Sequence, residues 1–483
     1  MKKVLLINPA HKGTLHSNIK VLAIPPLCLA MIARYTPEHY EVEIVDEAVQ
    51  DLDFDAPADI VGITCMTPLA PRAYEIAGRF RERGVPVIMG GIHVSYMTEE
   101  ALRYADAVVV GEGENLWPQV LQDFEAGRLQ KVYRVGEQPD IENLPAPRRD
   151  LLRGKYFVET VQTGRGCPIG CNFCSVTAFN GARYRLRSTD SVMDEINAIE
   201  SKRIFIVDDN IVGAGMKYIR RAKELFDRLQ GSGKEWGAQT CLNIVEHEDL
   251  MKSAARAGCK GLLIGFESLD SGTLGAMHKP VNLRPATRNF SDAIKKIHDH
   301  GIAIVGCFIF GSDTQDKGVF ERTVEFALEN EIDAVQMTLE TPLPGTTLYR
   351  QMVAEKRLLL TDYPNDWRHY TIFEPVFRMK NFTPREAYEG LLRSYAQVSS
   401  FQTSLKRGLR TFMKTRSLFS TGISFSWNYH AYKTIRHTPT PLVVLEERAL
   451  GSVDSVHSTA GLPASPVFFQ KPENSGSRLL RGH

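Results

Sequence analysis

Two periodicities alternate along the chain. Continuous apolar runs rich in Val and Ile occupy 4–8, 42–46, 60–65, 85–90 and 107–110, and between them 27–34 and 73–83 carry apolar residues at helical spacing. Unbroken runs suit parallel strands buried on both faces, so strands alternating with helices predict a doubly wound (flavodoxin/Rossmann-like) α/β domain over 1–125. From 126 to 155 the sequence turns polar, and Pro139, Pro145 and Pro147 lead into Arg148-Arg149-Asp150, a linker by composition. Strand and helix patterns then resume. A helix is predicted over 188–199 and strands over 156–163, 204–208, 236–241, 261–267, 302–310 and 334–341. Six βα units with right-handed crossovers curl into a partial TIM-like (β/α)6 barrel, placed at 156–380. A mainly α-helical C-terminal region is expected at 381–445, and a disordered Ser/Gly/Pro-rich tail at 446–483.

Charge and cysteine content narrow the function classes. With 58 Lys and Arg against 57 Asp and Glu, no global attraction to nucleic acid is expected. No apolar run approaches a bilayer span, and the first strand stops at Asn8-Pro9, too early for a secretory segment. Eight cysteines in 483 residues do not make a disulfide framework, so the expected compartment is the reducing cytosol. The balance is broken locally: 390–445 carries Arg393, Lys406, Arg407, Arg410, Lys414, Arg416, Lys433 and Arg436 and no acidic residue. There Leu405, Leu409, Phe412 and Met413 form one apolar helix face opposite the basic one. Such a helix either packs on the barrel with its basic side in solvent, or lies on an anionic membrane surface or covers an apolar, lipid-like substrate.

The chemistry concentrates in Gly164-Arg-Gly-Cys-Pro-Ile-Gly-Cys-Asn-Phe-Cys174, where Cys167, Cys171 and Cys174 stand as CxxxCxxC directly after a predicted strand. Three thiolates on one glycine-rich loop hold three irons of a 4Fe-4S cube and leave the fourth open to a small-molecule ligand. A zinc site needs a fourth Cys or His, and none occurs between Cys174 and Cys241; a redox pair is the other alternative. Barrel sites lie at the carboxyl ends of the strands, which picks out Asp208-Asp209, Glu267-Ser268, the stretch from Gly306 to Gly311, and Pro342-Leu-Pro-Gly-Thr346. Tyr349, just beyond, reads better as core than as a substrate contact. In the first domain two strand ends are glycine-rich, Gly90-Gly91-Ile92-His93 and Gly111-Glu112-Gly113-Glu114, and such ends let a flat ligand or a phosphate approach the backbone.

The cysteine spacing, with Phe173 before the last cysteine, resembles the radical S-adenosylmethionine (SAM) superfamily. The glycine-rich ends, with Thr64 after the third strand, resemble the cobalamin-binding domain that precedes the barrel in one large subfamily. The resemblance implies that the open iron chelates the amino and carboxylate groups of SAM, and that the cluster, reduced by a donor such as flavodoxin or ferredoxin, cleaves it to a 5′-deoxyadenosyl radical. It implies SAM contacts at Phe173, Asp208 or Asp209, Glu267 (ribose diol), Ser268 and Gly306, and cobalamin contacts at Thr64, Gly90, Gly91, His93, Gly111, Glu112 and Gly113. One departure stands out: the Asp-x-His-x-x-Gly motif that ligates cobalt in many cobalamin proteins is missing, and His11 has the wrong spacing to replace it. The alternative is a vestigial domain without cobalamin.

The implied activity is C-methylation of an unactivated carbon. Cyclisation, oxidation or carbon-carbon coupling is the second enzymatic reading, and a non-catalytic iron-sulfur redox or sensing protein is the reading from another class. A tRNA methylthiotransferase would need three more cysteines in the first domain, which has only Cys28 and Cys65.

Overall fold

The computed structural model of the chain describes residues 1–10, 23–436 and 442–450; His11 and 451–483 lie outside the described residues. The first sheet is parallel throughout. Its strands are β1 (Lys2–Asn8), β2 (Tyr40–Asp46), β3 (Ile60–Thr64), β4 (Val87–Gly90), β5 (Ala107–Val110) and β6 (Val132–Arg134), in the order β2-β1-β3-β4-β5-β6. The order reverses at β1, the point where doubly wound sheets open a crevice at their carboxyl edge. β6 falls inside the expected linker. Three residues are too short for a periodicity to announce, and the sheet therefore runs past 125.

The rest of the linker packs between the two halves, as its composition and length allowed. Ile141 and Leu144 cluster with Met31, the Arg148 amide donates to the Ala30 carbonyl, and Arg149 pairs with Glu195 at 2.6 Å.

The second sheet is also parallel: β7 (Glu159–Val161), β10 (Arg203–Ile206), β11 (Glu235–Thr240), β12 (Cys259–Glu267), β13 (Ala303–Phe310) and β14 (Ala334–Leu339), ordered β14-β13-β12-β11-β10-β7. β7 is shorter than expected, because after Gln162 and Thr163 the chain leaves the sheet for a two-residue hairpin, β8 (Gly164–Arg165) with antiparallel β9 (Arg185–Leu186). Alternation along β12 shows which side is which. Leu262, Ile264 and Phe266 are fully buried against the outer helices, while Gly261, Leu263 and Gly265 face the barrel axis and keep some exposure.

Three further features were not legible in the pattern. Tyr349, Leu359, Leu360, Trp367, Tyr370 and Val376 share one core with Leu5, Ile63 and Phe80 of the first domain, so the two expected domains are not separable bodies. The expected tail from 446 begins inside a helix, Leu442–Leu450, whose Leu445 is buried in that same core. Of the two orientations open to the helix Phe401–Thr415, its apolar face is turned outward: it buries Ser404, Arg407, Gly408, Thr411 and Thr415, whereas Leu405, Leu409, Phe412 and Met413 are 45, 58, 37 and 61 % exposed. The small and hydroxylated face lets the following helix, Leu418–Arg436, come close, and hydrogen bonds replace apolar burial. Thr411 donates to Asp333 at 2.6 Å and Arg407 to Asn428 at 3.1 Å.

Candidate cofactor sites

The cluster loop is tied down from three directions. The Gly166 amide donates to Asp209 Oδ2 (3.3 Å), the Asn172 amide to the Met277 carbonyl (3.3 Å), and the Leu348 amide to the Asn172 carbonyl (3.0 Å). Gly166 sits at φ +90°, and a side chain there would overlap the Arg183 carbonyl oxygen across the hairpin, so the turn into Cys167 requires glycine. Cys167, Cys171 and Cys174 are all free thiols at intermediate exposure, followed by the helix Ser175–Asn180, and Phe173 packs against the barrel core. Burial pushes the thiols of Cys167 and Cys171 up to about 12 and raises Cys174, so ligation must displace protons as metal binds. Among the described residues no three His, Cys, Asp or Glu side chains converge on a single ion. Thiolates at three corners of a cube stand wider apart than ligands of one ion, and the donor set of three sulfurs on one loop fits the cube.

The strand-end carboxylates divide into distinct roles. Asp208 is fully buried and spent on the protein: it accepts from the Thr163 amide (2.6 Å), the Thr163 hydroxyl (2.5 Å) and the Tyr184 hydroxyl (3.1 Å). Burial outweighs these donors and lifts its carboxyl to about 6. It is a latch on the start of the cluster loop. Asp209 accepts from Gly166 and from the Asn180 amide (3.2 Å), both through Oδ2, and so keeps Oδ1 for another partner beside the loop.

Glu267 sits at φ +63° where the register between β12 and β13 shifts, and its Oε1 receives Lys279 Nζ at 2.7 Å. Burial alone would lower the Lys279 ammonium, yet Glu267, with Cys241 and Cys171 further off, raises it. Nothing in the sequence pattern distinguished Lys279, which follows a short helix twelve residues after its partner. A second carboxyl was also missed: Glu340, just after β14, is buried, and burial with Asp313 nearby pushes it up to about 7. Two expected residues leave the site. Ser268 is buried, with its hydroxyl accepting from the Asp270 amide (3.2 Å) in a local turn. Gly306 is on the outward face of β13, where a side chain would press on Ile332 and Phe266. Tyr349 is buried in the first domain's core, as packing favoured.

Over the carboxyl ends of the first sheet lies a cavity of about 460 Å³. Thr64, Gly90, Gly91, Gly111, Glu112 and Gly113 line it from the first domain, and Gln162, Arg165, Asn180 and Val207 close it from the barrel side. Gly91 at φ +101° allows the ends of β3 and β4 to meet, since a side chain would lie 2.8 Å from the Cys65 amide nitrogen and carbonyl oxygen. Gly90 is different: the nearest atom to a Cβ there is 3.8 Å away, so its missing side chain leaves open space. Such a glycine-walled cradle fits a flat corrin ring.

His93 does not reach this cavity. It is buried behind it, within 3.2–3.3 Å of Thr67, Tyr74 and Glu100, and Glu100 also accepts from Trp367 Nε1. No histidine among the described residues lines the cavity. Glu112 both lines it and pairs with Arg165 (2.5 Å) and Arg185, while Arg165 pairs with Glu114 (2.5 Å). This buried ion network joins the cavity wall to the residue two before Cys167.

Comparison with known proteins matches residues 21–121 to the B12 binding domain and residues 161–327 to the Radical SAM superfamily. Bacteriochlorophyllide d C-8(2)-methyltransferase of Chlorobaculum tepidum is 30 % identical over 425 residues, covering 84 % of this chain and 91 % of its own length. The C-12(1)-methyltransferase of the same organism is 29 % identical over 84 % of this chain and 89 % of its own. The fold is shared with the radical SAM methyltransferase TsrM from Kitasatospora setae, solved with cobalamin and a [4Fe-4S] cluster, at a TM-score of 0.64 and 17 % identity over 82 % of this chain and 88 % of that one.

Proposed function

Because the chain belongs to the family of radical SAM enzymes with an N-terminal B12-binding domain, we propose that it methylates an unactivated carbon of a small-molecule substrate. The observation that carries this reading is one shared wall. Gln162, Arg165 and Asn180 line the glycine-rich cavity and also flank Cys167 and Cys174 along the chain, so the segments that lead into and out of the cluster loop form one wall of the cobalamin cradle. When bound, the cluster with SAM supplies a hydrogen-abstracting radical and cobalamin supplies the methyl group.

The chain's own residues do the holding and orienting. Cys167, Cys171 and Cys174 ligate the cluster, and Asp209 Oδ1 receives the SAM amino group. Glu267, its orientation fixed by Lys279, accepts from the ribose diol. Asp208 keeps Thr163 and the loop in register. The first domain and the carboxyl end of the barrel wall the space between them. Electrons come from a small reduced carrier of the flavodoxin or ferredoxin class in the cytoplasm.

No helix among the described residues is long and apolar enough to cross a membrane. We infer instead a peripheral contact through the outward face of Phe401–Thr415, supported by its exposed Leu405, Leu409, Phe412 and Met413 beside Lys406 and Arg410. The main proposal is tested by anaerobic reconstitution with iron, sulfide and cobalamin, followed by reduction with SAM. Bound cobalamin, 5′-deoxyadenosine and S-adenosylhomocysteine are expected together. Deoxyadenosine without bound cobalamin would sink methylation in favour of cyclisation or coupling.

A further inference from the structure

Below the cofactor level the barrel is hollow. TIM barrels fill this volume with layers of bulky branched side chains. Here the inward positions at the amino-terminal half of the sheet are Gly237, Gly261, Ala303 and Ala334, and they border a cavity of about 340 Å³. The backbone does not demand glycine at 261. Its φ is ordinary, and the nearest atom to a Cβ would be the Ala303 carbonyl oxygen at 3.8 Å, so a side chain would fit and its absence keeps the space open. The walls are Phe157, Phe205, Leu263 and Val305, and the helix Leu418–Arg436 closes the volume with Ile423 and Trp427. The charged lining residues are Lys260 and Asp333, and Asp333 is already satisfied by His298 (2.9 Å), Thr411 (2.6 Å) and the Ile304 amide (2.8 Å). An apolar space of this size, with few polar groups, suits a hydrocarbon ligand.

Two observations say where such a ligand belongs. At its upper edge, Gln336 Oε1 is 3.8 Å from Cys307 Sγ, and Cys307 is the register partner of Gly265, where Glu267 Oε1 and Lys279 Nζ occupy the place of the missing side chain, so one layer of side chains separates the cavity from the SAM-binding pair. At its closing helix, Leu418 is 76 % exposed, next to the outward apolar face of Phe401–Thr415. We propose that the lower barrel binds the aliphatic chain of an amphiphilic substrate, whose reacting carbon then lies above it. The assignment of the substrate class rests on reading the upper barrel as the radical site; the binding of a chain does not.

The test uses the full-length protein, purified anaerobically, with cis-parinaric acid as fluorescent probe and saturated fatty acids as competitors. Saturable one-to-one binding is expected. Competitor affinity should rise about fourfold per methylene and then level off once the cavity is full. Gly261→Leu and Ala303→Leu should each weaken the probe at least tenfold while SAM cleavage without substrate persists, and Trp427→Ala should move the plateau to longer chains. No saturable binding would overturn the proposal, as would affinity indifferent to all three substitutions or chain-length dependence without a plateau. Loss of SAM cleavage in the wild type, with chain binding intact, would instead remove the radical reading and leave the cavity's ligand standing.

Discussion

Lys279→Met tests whether the Glu267 carboxylate is held by one buried cation. Both side chains of the pair are under one-tenth exposed, at 8 and 9 %. Deleting the ammonium leaves a buried carboxylate facing thiolates in the cluster-loaded protein, and breaking such a pair from one side costs about 3–5 kcal/mol. Glu267→Gln is the asymmetric partner. It leaves the ammonium, but the ligating Cys171 thiolate stands near it, so the expected loss is that of one charge-assisted hydrogen bond, about 1.5–3 kcal/mol. The double variant removes both charges and should recover most of the stability lost in Lys279→Met, while SAM affinity stays low in all three. Denaturant unfolding of cluster-loaded protein under anaerobic conditions, with equilibrium SAM binding alongside, measures both effects. A Lys279→Met variant within about 1 kcal/mol of wild type, or a double variant additive within about 0.5 kcal/mol, would refute the reasoning.

The cobalamin cradle is tested by Gly90→Leu, which has room to fold because nothing lies within 3.8 Å of its Cβ; cobalamin retained after gel filtration should fall at least tenfold, and unchanged retention would count against the cradle. Glu340 holds its proton more tightly folded (about 7) than at its usual 4.5, so its stabilising contribution is full below about pH 4.5 and is lost as pH rises through 7. Glu340→Gln should therefore match wild type at pH 5 and exceed it at pH 8, by at most about 3 kcal/mol; parallel melting curves across that range would contradict this. Leu409→Glu with Met413→Glu should abolish sedimentation with phosphatidylglycerol vesicles and leave the melting temperature unchanged, since both residues face outward; retained sedimentation would remove the membrane contact.

The strand and helix pattern exposed both sheets, β6 aside, because their central strands lie in apolar runs, and the cysteine spacing exposed the cluster loop because its chemistry is local. What escaped was set by parity and by distance along the chain. Asp208 and Asp209 are neighbours in a strand end, yet one points at Thr163 and the other toward the loop, and only the register of β10 decides which. Gly306 looked like a site glycine from its place in β13, but alternation directs it outward. Lys279 acquires its meaning from a fold that carries it back to Glu267, and the orientation of Phe401–Thr415 stayed open because hydrophobicity alone does not reveal that Thr411 and Arg407 have hydrogen-bond partners waiting in Asp333 and Asn428.

The shared core has a consequence for how the protein is made. The first sheet and its helices emerge from the ribosome early, but their core is completed by Tyr349, Trp367, Tyr370 and Leu445, which are translated long after it. Until then the apolar surface that Trp367 covers beside the helix Ala70–Glu82 is exposed, a state open to aggregation during synthesis. The barrel-side wall of the cobalamin cradle, Gln162 and Arg165, likewise arrives after the sheet it faces. Vitamin loading thus follows synthesis of the first barrel strands, and a fragment ending at the linker would lack both the late part of its core and the barrel-side wall of its cradle.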